Sequence, residues 1–241
     1  MADPDDLVSP PSPRASFCDL LRDDCATTWR ALHDHPFIRQ LAAGTLEPDR
    51  FRFYVEQDLY FLPELARAVA LGISRAEDDA EMRHFAEEVA IVVGRELENQ
   101  RELLRRITEL GATDCGGAAC AAPATVAYGG YLVATAYRGG AVEVMTALLP
   151  CTWSYADVAV ALAPEVADHP VYAEWVRFFS RPDYVELIAG RRATLDRLAE
   201  GLGEARRRRL SEIFTTSTRL EHAFWDMAYG LEQWPDLAEA A

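Results

Sequence analysis

One thiol stands inside an otherwise apolar run, Leu148-Leu149-Pro150-Cys151-Thr152-Trp153-Ser154-Tyr155. Proline in a helix interior removes a backbone hydrogen bond and costs about 3 kcal/mol or more. That cost is best tolerated where a bend is useful, often beside a pocket. Cys151 is therefore a candidate nucleophile, with the Tyr155 hydroxyl one turn further along the same face. The plainer reading is a buried cysteine acting as a small apolar filler. Two acids invite the same question. Asp58 lies one turn from Tyr54, Phe61 and Leu62, so a carboxylate joins an aromatic stripe, where it is costly unless paired or hydrogen-bonded. Glu221 shares a helical face with Phe224, Trp225 and Ala228. Burial disfavours the ionised form, so such an acid can stay protonated near neutral pH and act as a general acid. Each acid also has a structural reading, as a satisfied carboxylate at the edge of a core face.

Weaker signals surround these. Tyr128 and Tyr131 flank Gly129-Gly130, a pair that weakens its helix and lets a neighbour approach the backbone closely. Glu81-Met82-Arg83-His84 has the Glu-x-x-His spacing of carboxylate-bridged di-iron bundles, but a second such motif is missing and there are five histidines in all. The ligand set is incomplete, so no metal is expected. Arg206 to Arg209 read as a solvated helix face.

Helices must position these groups. Apolar spacing predicts one over 15–33, a short one to Ala43 after the His35-Pro36 break, and long ones over 48–74 and 75–110. A loop of small residues follows over 113–123. Further helices are expected over 123–138, 141–162, 171–179, 182–201 and 203–231. No period-2 stretch reads as a strand. The expectation is all-α: residues 1–13 as a disordered tail, then one bundle of about eight helices over 14–235.

The chain has 241 residues and a net charge of −15. That balance argues against nucleic acid as partner, because phosphate binding needs a basic surface. Five cysteines, odd in number and irregularly spaced, together with an acidic, proline-rich start, read as a reduced, cytoplasmic protein. No uninterrupted apolar run has membrane-spanning length.

Taken together, the motifs resemble the TenA / thiaminase II family. Tyr-x-x-Gln-Asp-x-Tyr from Tyr54, Leu-Leu-Pro-Cys-x-Trp-x-Tyr around Cys151, and Glu-x-x-Phe-Trp-x-Met-Ala-Tyr from Glu221 carry the likeness. His35-Pro36-Phe37 with Gly44-Thr45-Leu46, and His169-Pro170-Val171-Tyr172 with Trp175, also look like that family. The resemblance runs from about Ser16 to Trp234. It implies a heme-oxygenase-like all-α fold without heme or other cofactor, assembled as a homo-oligomer, a tetramer or dimer. It implies hydrolysis of aminopyrimidines related to thiamin: release of hydroxymethylpyrimidine from an aminomethyl precursor, or cleavage of thiamin itself. By that analogy Cys151 adds to the pyrimidine ring, Glu221 exchanges a proton with a ring nitrogen, and Asp58 binds the ring amino group. Tyr128 lies near the thiol, and Tyr155 and Phe224 shape the ring pocket.

The chain departs from the pattern at Phe61 and Phe179, where tyrosines are expected. Losing two hydroxyls from the pocket alters what it can discriminate. That departure keeps open a binding protein that holds a heteroaromatic ligand without turning it over, and an oxidase of the same broad fold is a further alternative.

Overall fold

The structure, a computed structural model, describes residues 15–235. The expected tail over 1–13 lies outside them. Eleven α-helices run α1 (Phe17–Asp24), α2 (Ala26–Asp34), α3 (Pro36–Ala42), α4 (Pro48–Arg75), α5 (Asp79–Ala90), α6 (Leu97–Glu109), α7 (Pro123–Arg138), α8 (Ala141–Leu162), α9 (Tyr172–Phe179), α10 (Pro182–Ala199) and α11 (Glu204–Gly230). A π-helical turn, Ile91–Glu96, joins α5 to α6. There is no strand among the described residues.

Two predicted helices are in fact divided. The segment over 15–33 breaks at Cys25, whose φ of −116° and ψ of 24° leave the helical region. The break seats the Cys25 thiol 3.7 Å from Thr218 Oγ1 and lets Trp29 and Leu32 bury. The segment over 75–110 does not begin at Arg75. Residue Ala76 is extended, and α5 starts only at Asp79. Asp78 Oδ1 accepts from the backbone N–H groups of Ala80 and Glu81, both at 2.8 Å, while Glu81 Oε2 accepts from Glu77 N. Side chains thereby satisfy the orphan donors of a helix start.

The two His-Pro pairs turn out to be caps. His35 Nδ1 accepts from Phe37 N at 3.1 Å, and His169 Nδ1 accepts from Val171 N and Tyr172 N. Each proline suits the position where a missing N–H costs nothing.

α4 is the hub, packed by α5, α6, α7, α8 and α11. α8 lies deepest, with every residue from Ala141 to Pro150 buried. It is long and apolar enough to cross a membrane, yet 78% of its most apolar window is buried inside the bundle. Its helical geometry continues through Pro150. The arginine run is solvated as expected, with Arg206, Arg208 and Arg209 exposed, and two of its members also tie down helix ends. Arg206 pairs with the buried Glu143 at 3.0 Å, fixing the start of α8, and Arg207 binds the carbonyls of Ala199 and Leu202.

Candidate active site

Adjacent residues of α4 divide the labour. Gln57 turns outward to the loop of small residues: its Nε2 donates to Gly117 O and Cys120 O, and its Oε1 accepts from Ala122 N and Thr125 Oγ1 at 2.7 Å each. These four bonds fix the entry to α7, and with it Tyr128. Gly129 is required there, since a Cβ would lie 2.8 Å from the Glu64 side chain on α4; Gly130 faces open space. Asp58, next in sequence, turns inward and is buried.

Inside, Tyr128 Oη donates to Glu221 Oε1 at 2.6 Å, joining α7 to α11. The Cys151 thiol lies near the same carboxyl, and each influences the other's protonation. Asp58, Phe61, Cys151, Tyr155 and Phe179 line one cavity of about 20 Å³, on the scale of one or two waters. Cys151 keeps part of its surface open. Aromatic rings wall the site. Phe61 stacks on Tyr128 with centroids 4.7 Å apart and meets Phe224 at 5.7 Å. Tyr155 stacks on Trp225 at 5.1 Å and meets Phe179 edge-on at 5.0 Å. The eight residues singled out in the sequence therefore belong to one cluster, drawn from α4, α7, α8, α9 and α11.

Burial pushes Glu221 up to about 7, although the hydrogen bonds from Tyr128 and Cys151 favour its ionised form. Asp58 is held well above the usual carboxylate range by burial, then by the charges of Glu96 and Glu221. Burial also holds the Cys151 thiol well above its ordinary value, reinforced by Glu221, Glu96 and Asp58. The resting site thus pairs a neutral thiol with an acid that is half protonated near neutrality. In this resting state the thiol proton stays on sulfur, because burial and the neighbouring acids hold the thiol well above Glu221.

Residues 22–231 match the TENA/THI-4/PQQC family. The chain belongs to that family. An aminopyrimidine aminohydrolase of Halalkalibacterium halodurans is 34% identical over 91% of this chain and 98% of its own. A TenA homologue from P. horikoshii OT3 superposes with a TM-score of 0.79 at 36% identity, covering 90% of this chain and 99% of that one. A domain of unknown function from Shewanella denitrificans, described as having a heme oxygenase-like fold, superposes at 0.66 with 14% identity over 91% and 94%, which speaks to the fold alone.

In this TENA/THI-4/PQQC family member the Glu-x-x-His pair is structural. Glu81 closes the start of α5, and His84 Nε2 lies 3.4 Å from Glu88, which pairs with Arg191. Among the described residues, His35, His222 and Asp226 come nearest to a metal-binding triad. The caps argue against it. The Phe37 N–H donates to His35 Nδ1, so the neutral ring carries its proton on Nε2 and offers it to Asp226 at 3.1 Å. His35 is left with no lone pair for a cation, so the three cannot all ligate.

Sequence reasoning missed part of the wall: Glu96, Asn99, Gln100, Phe178 and Tyr184 also line the cavity. The signal was present. Val92, Glu96, Gln100, Leu103 and Ile107 recur at helical spacing, so two polar residues interrupt an apolar stripe.

Proposed function

We propose that this protein is a thiamin-salvage hydrolase acting on aminopyrimidines, with Cys151 as nucleophile and Glu221 as general acid. The observation that carries the reading is the Tyr128 bond to the buried Glu221 carboxyl, with Cys151 near that carboxyl and lining one cavity with Asp58. The name of the 34% identical relative supports the same substrate class.

The chemistry follows from the groups present. Protonating a ring nitrogen makes the pyrimidine a better acceptor for sulfur. Glu221 supplies that proton, and as the thiol adds to the ring its own proton passes to the emptied Glu221 carboxylate. The electron-rich adduct expels the group on the exocyclic methylene. Water adds to the methylene, its spare proton going to the departed amine. Sulfur then leaves and takes back the proton held by Glu221, and the ring nitrogen returns its own proton to that carboxylate. Asp58 holds the ring amino group and its neighbouring nitrogen, while Phe61, Tyr155, Phe179 and Phe224 cover the ring faces and keep bulk water out. The five cysteines are all free, which fits a reducing compartment, and we place the protein in the cytoplasm as a homo-oligomer of one domain spanning residues 14–235.

The test is Cys151→Ser. It is expected to nearly abolish turnover of an aminomethylpyrimidine while leaving the thermal unfolding midpoint in place. Undiminished turnover would end the proposal.

A further inference from the structure

One wall of the cavity carries polar atoms that the fold leaves unsatisfied. Glu96, on the π-helical turn, and Gln100, one turn later in α6, are 8% and 2% exposed. Glu96 Oε1 and Gln100 Oε1 have no hydrogen-bond partner, nor has Asn99 Nδ2 between them. All three residues line the same cavity as Cys151. A buried acceptor left unmade costs about 1–3 kcal/mol, more if charged, so orphans of this kind point to a partner that arrives. A single π-helical turn inside a helix is itself common at functional sites.

The chemistry of that partner can be read from the wall. Two of the three orphans are acceptors, one of them a carboxyl; they share the cavity with Asp58, and no residue lining it is basic. Arg191, the cation beside Glu96, is engaged by Glu88 at 2.5 Å. The wall therefore asks for a small group that brings N–H donors together with positive charge. A primary ammonium brings both. A thiazolium nitrogen brings charge but no N–H.

We infer that Glu96, assisted by Gln100, binds the ammonium on the exocyclic methylene of the substrate, and so selects aminomethylpyrimidines over thiamin. The inference rests on the hydrolase reading above. Glu96 takes part in no covalent step. The carbon–nitrogen bond breaks with its electron pair going to nitrogen, and the ammonia that leaves keeps its three hydrogens.

The test compares Glu96→Gln with the unaltered enzyme on an aminomethylpyrimidine and on thiamin, the latter as substrate or, if uncleaved, as competitive inhibitor. Loss of a charge-assisted hydrogen bond should lower kcat/KM for the aminomethyl substrate by about 10- to 100-fold, mainly through KM. The thiamin parameters should change less than about twofold, since no bond of that type is lost there. Equal losses on both ligands, or none on either, would overturn the inference while leaving the hydrolase reading standing. An unaltered enzyme inactive on both would sink the hydrolase reading instead. Should Glu96→Gln fail to fold, the Cys151→Ser protein serves for binding. An aminomethylpyrimidine should then bind at least about tenfold tighter than its methyl analogue; equal affinity would overturn the inference.

Discussion

Tyr128 Oη and Glu221 Oε1 lie 2.6 Å apart with both side chains buried, so the tyrosine is committed to donating to this one carboxyl. The bond opposes desolvation, which alone would lift Glu221 beyond its value of about 7. Hydrogen bonding to a carboxylate favours the charged form. Tyr128→Phe should therefore raise the Glu221 pKa. In the proposed mechanism Glu221 must hold a proton to give to the ring nitrogen, so kcat/KM should fall above about pH 7 in the unaltered enzyme. The basic limb of the pH–rate profile should move upward in the variant. A limb that stays in place would separate Tyr128 from the acid.

Glu221 also ties stability to pH. Its folded value of about 7 stands above its ordinary 4.5, so the folded state binds more protons between those limits. The favourable contribution is complete below about pH 4.5 and is lost as pH rises through about 7. The size is on the order of 3 kcal/mol. Asp58 and Glu96 are also raised and act in the same direction. Glu221→Gln, neutral at every pH, should flatten part of the decline. Unfolding midpoints measured from pH 5 to 8 for both proteins would check this, and parallel curves would contradict it.

Arg191 and Glu88 form a buried ion pair at 2.5 Å, with side chains 7% and 8% exposed. Removing one partner leaves the other charge uncompensated, which costs about 3–5 kcal/mol. Arg191→Met should show that loss in urea unfolding. The double variant Arg191→Met with Glu88→Gln should recover part of it, because Glu88 is no longer bare while Glu96 still lacks its cation. Failure of the second change to rescue would mean that shape, rather than charge, is what Arg191 supplies.

The helical class and the three groups at the centre of the proposed mechanism were legible because each announces itself within one helix. Asp58 and Glu221 interrupt aromatic stripes, and Cys151 follows a proline. What stayed hidden depended on contacts between distant segments. The break at Cys25 answers to Thr218, which is 193 residues away. Glu96 was overlooked because long apolar spacing masked the π-helical turn that redirects it. The restart at Asp79 was readable, since Asp78 and Glu81 stand three apart as a capping pair does. The roles of Gln57 and of the two His-Pro pairs needed the loop and helix starts that they tie down.

Two glycines in the helices test how closely the site's scaffold is packed. On α4, a Cβ at Gly72 would lie 2.5 Å from the Phe85 ring, which is fully buried and cannot swing aside. At Gly130 on α7 there is nothing within 4 Å of the same added atom. Overpacking costs about 1–3 kcal/mol, while replacing glycine inside a helix by alanine otherwise gains about 0.5–1 kcal/mol. Gly72→Ala should therefore lower the unfolding midpoint, by about 2–4 °C for each kcal/mol lost, and Gly130→Ala should raise it. Neither residue lines the cavity, so turnover below the transition should be unchanged in both. A stabilising Gly72→Ala would show that α4 and α5 have room to separate, and that the cavity wall they support is softer than its packing implies.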